Sequence, residues 1–242
     1  RAQRTGYADD VSTGHQFVPQ TPEVFTHDAD GNLTGDGRWT YTWDAENRLV
    51  AMQSRTGVSP AQKLQFDYDW QGRRIRKQVW NNREGTGSPA TDLRFVYDGW
   101  NLLVELSGAS TPPSPVRSFL WGLDLSGREQ GAGGVGGLIA LSTLNPQPST
   151  HFPAYDGNGN VAALVNATDG AVTATYEYGP FAEPIRVTGP LGQANPFRFS
   201  TKYCDEETDL LYYGARYYSP TLGRWPNRDP IEEKGGHNMH GF

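Results

Sequence analysis

The sequence predicts an all-β fold built from short antiparallel hairpins, and three observations carry that reading. A phrase made of an aromatic or His residue, an Asp and, about three residues on, a Gly or Asn recurs along the chain. It reads HDADGNLTG from His27, WDAENRLVA from Trp43, YDWQGRRIR from Tyr68, YDGWNLLVE from Tyr97 and YDGNGNVAAL from Tyr155. Runs that alternate bulky and polar residues flank these phrases, the period of half-buried strands. Gly (29) and Pro (17) are abundant among the 242 residues, which suits many turns and speaks against long helices.

Taken in order, each phrase supplies a turn. An Asp side chain accepts a hydrogen bond from the backbone amide two residues on, and a following Gly or Asn tolerates positive φ. Asp28–Gly31, Asp44–Asn47, Asp69–Gly72, Asp124–Gly127 and Asp156–Gly159 all fit. The strands between them are read at Arg38–Trp43, Lys63–Tyr68, Leu93–Tyr97, Val116–Trp121 and Ala171–Tyr178. Trp39, Tyr41 and Trp43 fall on one face of their strand. Val172, Ala174, Tyr176 and Tyr178 fall opposite Thr173, Thr175 and Glu177. Loops are expected near 108–115 and 131–153, with a strand-like GLIALS inside the second. One hairpin cannot bury its own face, so neighbours must stack, and the irregular spacing of the turns indicates degenerate repeats with insertions. The best helical candidate is a short stretch at Glu232–Lys234, ended by Gly235-Gly236. Residues 1–23 are left unassigned.

Composition limits the function classes. Hydrophobic residues make up 36% and aromatics 12%, so the core is built of rings more than of aliphatic chains. A net charge of −6 does not suggest a nucleic-acid or anionic-membrane partner. The single cysteine, Cys204, excludes an internal disulfide framework and a multi-cysteine metal site, and a buried structural thiol is its default role. No apolar run reaches the ~18 residues that span a bilayer. The chain opens on Arg1 without a signal peptide and is expected to be part of something longer.

The closing stretch Phe197–Asn238 is the most specific. It closely resembles the RHS repeat-associated core domain, in which an aromatic-rich GARYYDP leads to GRW, DPI and GG.N. Here the matching residues are Gly214, Arg216, Tyr217, Pro220, Gly223, Arg224, Trp225, Asp229, Pro230, Gly235, Gly236 and Asn238. The recurring phrases over Val24–Tyr178 resemble the YD repeats of RHS proteins. The resemblance implies three parts: the lead-in 1–23, a YD-repeat sheet over 24–196, and the core at 197–242. It implies a curved β-ribbon belonging to a hollow, cocoon-like shell, with the core as a plug. In many members the core cuts the chain just beyond itself and frees an enclosed C-terminal toxin or effector. Implied partners are that segment and a secretion-system or immunity protein. The implied setting is bacterial, secreted or delivered at the cell surface. The pattern departs from the family at Ser219, where Asp is usual, and at His237–Phe242. The chain also ends at Phe242, before the cleavage stretch, and is too short to close a shell alone.

The family's aspartic-type autoproteolysis carries over to Asp229, with Arg228 as the nearby Arg. The second carboxylate is not placed; Glu232 and Glu233 are merely close in sequence. The alternative is that Asp229 caps a turn before Pro230 and pairs with Arg224 or Arg228. GAGGVG at Gly131–Gly136 has dinucleotide-loop spacing but precedes a strand rather than a helix. His237 and His240 lack a third metal ligand. Asn32 and Asn166 head glycosylation sequons. Tyr212-Tyr213 and Tyr217-Tyr218 read as cross-strand pairs before they read as a sugar platform. No cofactor, metal or nucleic acid is expected. The rival readings are a cell-surface YD-repeat adhesion module with no enclosed cargo and an ordinary hydrolase on a β scaffold.

Overall fold

The structure is a computed structural model and describes residues 22–144 and 147–229. Fourteen strands form one antiparallel sheet whose spatial order is the sequence order. They are β1 (Thr26–His27), β2 (Leu33–Gly35), β3 (Trp39–Trp43), β4 (Leu49–Ser54), β5 (Lys63–Tyr68), β6 (Arg74–Trp80) and β7 (Thr91–Asp98). They continue as β8 (Asn101–Ser107), β9 (Ser114–Trp121), β10 (Leu138–Thr143), β11 (Ser149–Tyr155), β12 (Val161–Asn166), β13 (Val172–Tyr178) and β14 (Pro184–Thr188). A second sheet contains β15 (Tyr203–Asp205), β16 (Leu210–Tyr212) and β17 (Tyr217–Tyr218). The all-β expectation holds. Residues 1–21, the Glu232–Lys234 helix candidate, His237 and His240 lie outside the described residues.

Each turn is built as its Asp dictates. Oδ1 of Asp28, Asp44, Asp69 and Asp156 accepts from the amides two and four residues on, at 2.8–3.0 Å. The left-handed residue follows three positions after the Asp, as with Asn47 (φ 58°) and Gly72 (φ 80°). The fifth residue then reaches back to Oδ2: Asn32, Arg48, Arg73 and Asn160 at 2.7–3.0 Å.

The aromatic residue ahead of the turn has a separate task. Trp43 Nε1 donates to Leu33 O, Tyr68 Oη to Leu49 O, Tyr97 Oη to Arg74 O and Trp121 Nε1 to Leu102 O. Tyr155 Oη donates to Leu138 O, and Tyr178 Oη to Val161 O. All six bonds measure 2.6–2.9 Å. Each runs from the end of an odd-numbered strand to the start of the even-numbered strand before it. The Asp folds a hairpin and the ring ties it to its predecessor.

Two parts of the sheet differ from the sequence expectation. The 131–153 stretch holds β10, where GLIALS reads as strand-like, and most of β11, where a loop is expected. Pro153 had argued against a strand, but it lies two residues beyond the last β10–β11 pair, at His151. The β10 side asks no N–H of it there. Val172 is 59% exposed, not on the core face with Ala174. A register shift sets Leu164 opposite Ala174 but Val165 opposite Val172, and that extra residue reverses the face.

The core lies between the large sheet and the small one. Leu33, Leu49, Met52, Leu64, Phe66, Phe95 and Phe119 of the large sheet form one buried cluster with Phe197, Tyr203, Tyr212 and Tyr217. The sheet cannot be flat around this plug. Eleven strand spacings from β2 to β13 would span ~53 Å at ~4.8 Å each. Yet Leu33 N donates to Pro226 O at 2.8 Å, and a Cβ on Gly223 would lie 3.2 Å from the Phe181 ring. Phe181 belongs to the β13–β14 turn, and three residues of chain reach at most ~11 Å. The ribbon therefore curls, bringing both of its ends to the plug.

Candidate functional site

The junction of sheet and plug is held by buried charge. Arg74 stands five residues after Asp69, the place occupied by Leu33, Leu49 and Val161 in the sister turns, and like them it faces the core. Its side chain is 1% exposed, and Nη1 lies 2.5 Å from Oδ2 of the fully buried Asp205 on β15. Lys77 Nζ lies 2.9 Å from the other Asp205 oxygen and 2.8 Å from Glu207. Rings of Phe66, Phe95, Tyr203, Tyr212 and Tyr217 surround the guanidinium, with centroids 4.7–5.8 Å away. Tyr212 Oη accepts from the Arg74 amide at 2.8 Å. Burial alone would raise the Asp205 carboxyl, but Arg74 and Lys77 outweigh it and hold it below the usual carboxylate range. A second pair, half-buried, joins the buried Glu105 on β8 to Arg117 on β9, 2.5 Å apart. Arg117 also donates to Ala194 O at the approach to the plug.

The core-motif residues line the plug and its seams. Gly214 has φ 91°, and a Cβ there would meet the Trp100 ring at 3.0 Å. Tyr217 is buried and hydrogen-bonds Tyr68 and Arg74, each at 3.2 Å. It pairs across strands with Tyr212, ring centroids 5.1 Å apart, the sheet-holding arrangement expected of these aromatics. Pro220 is buried. Trp225 packs edge-on against Tyr213 and Tyr218. The Arg216 guanidinium covers the Trp225 ring at 4.2 Å. Pro230, Gly235, Gly236 and Asn238 lie outside the described residues, as do Glu232 and Glu233.

Asp229 sits beside Arg216, Oδ2 to Nη1 3.1 Å. The local alternative names Arg224 or Arg228 as the partner; Arg224 is exposed and makes no ion pair among the described residues. The reason is local: main-chain bonds with Ser219 close the turn around Gly223, and Arg216, two residues past Gly214, takes the carboxylate. The Arg228 amide donates to Asn32 Oδ1 at 3.3 Å, and Asn227 Nδ2 to Asn47 O at 3.4 Å. The motif's end is thus docked on the first two turns of the described sheet. Asn32 itself is 0% exposed, so its sequon is sealed in the folded chain.

The remaining candidates are structural. The Gly131–Gly136 loop wraps Asp124, whose Oδ2 accepts from the amides of Ala132 (2.6 Å) and Gly134 (3.1 Å). Burial works against this carboxylate, but those bonds and two from Ser126, its hydroxyl and its amide, bring it down to about 2. Burial pushes the Cys204 thiol up to about 12, which leaves it without nucleophilic character at neutral pH. No group of three metal-binding side chains occurs among the described residues, and no described helix is long and apolar enough to cross a membrane.

No model of a known protein family matches the chain. Curated relatives do. The chain is 28% identical over 226 residues to the tRNA3(Ser)-specific nuclease WapA of Bacillus spizizenii, covering 93% of this chain and 8% of that protein. It is 26% identical over 231 residues to double-stranded DNA deaminase toxin A of Burkholderia cenocepacia, covering 90% and 16%. It is also 26% identical over 233 residues to salivary gland surface protein 1 of Aedes aegypti, covering 92% and 6%. Among solved structures, TcdB2-TccC3 without its hypervariable C-terminal region aligns with TM-score 0.65 at 20% identity, over 89% of this chain and 10% of that one. The chain thus spans a small part of each relative's length, is similar to bacterial toxin proteins in sequence, and is similar in fold to part of the TcdB2-TccC3 structure.

Proposed function

We propose that this chain is the closing end of an RHS-type shell, a YD-repeat ribbon with an RHS core plug, which encloses a toxin or effector polypeptide encoded downstream in a longer protein. The observation that carries the reading is the curl: Pro226–Arg228 holds the first turns while Gly223 meets the β13–β14 turn, so one short segment ties both ends of the ribbon. Function is containment. A continuous sheet screens the enclosed polypeptide until delivery, and the plug is fastened by the Arg74–Asp205–Lys77 cluster.

The relatives support this division of labour. One is named for tRNA cleavage and another for DNA deamination, yet both share some 230 residues with this chain. A stretch common to such unlike chemistries suits a carrier rather than a catalyst. Partners on this reading are the chain's own downstream toxin and, in the producing bacterium, immunity and secretion proteins. Delivery is to the outside of the cell.

Within the plug, Asp229 with Arg228 is proposed to take part in aspartic-type self-cleavage beyond the core. The chemistry requires a second carboxylate sharing a proton with the first. Intact mass of the parent chain carrying residues past Phe242 tests this, as wild type and as Asp229→Asn. Two pieces from wild type and one from the variant are expected. A single uncut chain from both removes the cleavage step. The second reading is a surface adhesion module with no cargo. The Aedes aegypti surface protein favours it, and an uncut chain with an exposed downstream segment would support it.

A further inference from the structure

We propose that the cavity between the β7–β8 turn, the Gly-rich loop after β9 and the plug binds a small carboxylate carrying a single aromatic ring. The cavity measures about 130 Å³, close to the ~150 Å³ apolar cavity that holds one benzene molecule in an engineered core. Trp100, Trp121, Phe197 and Tyr212 line it, and aromatic side chains favour a flat aromatic guest.

Two polar groups give the cavity its second requirement. Asn101 is only 7% exposed and lines the cavity, yet its side-chain amide has no hydrogen-bond partner among the described residues. Its polar atoms are not sealed from the cavity, so a guest there can pair with them. Lys202 lines the same space. Its Nζ donates to Gly133 O at 2.5 Å and lies 5.3 Å from the Tyr213 ring centroid. No carboxylate forms an ion pair with it among the described residues. Burial pushes the ammonium down to about 8, with Asp124 pulling the other way, so it is mostly charged at neutral pH. A part-buried cation whose nearby carboxylate, Asp124, stays beyond ion-pair distance gains from an anion brought into contact with it.

Ring-sized volume, an amide open to a guest and an ammonium with no carboxylate within ion-pair distance together describe an aryl carboxylate. The carboxylate accepts from Lys202 Nζ and the Asn101 amide, and the ring fills the aromatic box. Nothing in this reading depends on Asp229 or on an enclosed cargo.

The test is a fluorine NMR titration of the 242-residue chain with 4-fluorobenzoate, followed by competition. Saturable binding is expected, displaced by benzoate and at least tenfold less well by the uncharged benzamide. Lys202→Met is expected to weaken binding at least tenfold while circular dichroism stays unchanged. An unsaturable titration overturns the proposal, as does a folded Lys202→Met protein with undiminished affinity. Should that variant fail to fold, equal competition by benzoate and benzamide on the unaltered chain overturns it instead.

Discussion

Arg74 Nη1 and Asp205 Oδ2 stand 2.5 Å apart across 131 residues of sequence, with side-chain exposures of 1% and 0%. This pair binds the ribbon to its plug, and its energetics are asymmetric. A buried ion pair adds little over a well-packed apolar pair, but removing one partner strands a charge, at a cost of about 3–5 kcal/mol. Asp205→Ala is therefore expected to lower unfolding stability by about that much, with Arg74 and Lys77 both left without their shared anion. The double variant Arg74→Leu/Asp205→Ala is expected to lose far less than the sum of the singles. Urea titrations of the four proteins measure it, and additive losses would contradict the pairing.

The acid response follows from the same carboxylates. Asp205 and Asp124 both have folded values below their unfolded ones, Asp124 at about 2. A depressed carboxylate contributes stability that is present above the unfolded value, ~4, and lost as pH falls through the folded one. Stability is therefore expected to fall between about pH 4 and about pH 2. Asp124→Asn is expected to flatten part of that slope. Urea midpoints at successive pH values show it, and an unchanged slope in the variant would count against the loop-wrapped carboxylate.

The aromatic ties predict a local loosening. Tyr155→Phe removes the hydroxyl's bonds to Leu138 O and to the Thr201 side chain and keeps the ring. The expected cost is about 1 kcal/mol. Faster amide exchange is expected in β10 and β11, with β3 and β4 unaffected. A uniform change across the sheet would mean that the hydroxyl acts through something other than this tie.

Glycines separate backbone strain from crowding. Gly72 and Gly159 share nearly the same left-handed φ, 80° and 76°. A Cβ at Gly72 meets nothing within 4 Å, whereas one at Gly159 meets Val135 at 2.7 Å and the Gly136 amide at 3.2 Å. Gly72→Ala is expected to cost about 1–2 kcal/mol from the left-handed backbone alone, and Gly159→Ala clearly more. Equal thermal shifts would contradict the packing described around Gly136.

Much of this was legible in the residues. The Asp–Gly turns, the strand at Lys63–Tyr68 and the shared face of Trp39, Tyr41 and Trp43 all followed from local chemistry, because an Asx turn and a two-residue period act within a few residues. The ring ahead of each Asp could be read only as core, since its partner carbonyl belongs to the preceding hairpin. Arg74 was hidden for a similar reason. RRIR looks like a solvated face, and only alignment of the turns by their Asp residues places Arg74 where its sisters carry Leu or Val. Its partner, Asp205, lies more than a hundred residues away. The β11 strand was obscured by Pro148 and Pro153, which local rules read as loop.

The central claim is that plug and ribbon together keep a downstream polypeptide from the solvent. Limited proteolysis of the full-length parent, with the downstream segment followed by mass spectrometry, tests it most directly, comparing wild type with Asp205→Ala. The account predicts a downstream segment that survives in wild type and is cut rapidly once the plug's anion is gone. A downstream segment digested equally fast in both proteins would contradict containment and leave the surface-module reading in its place.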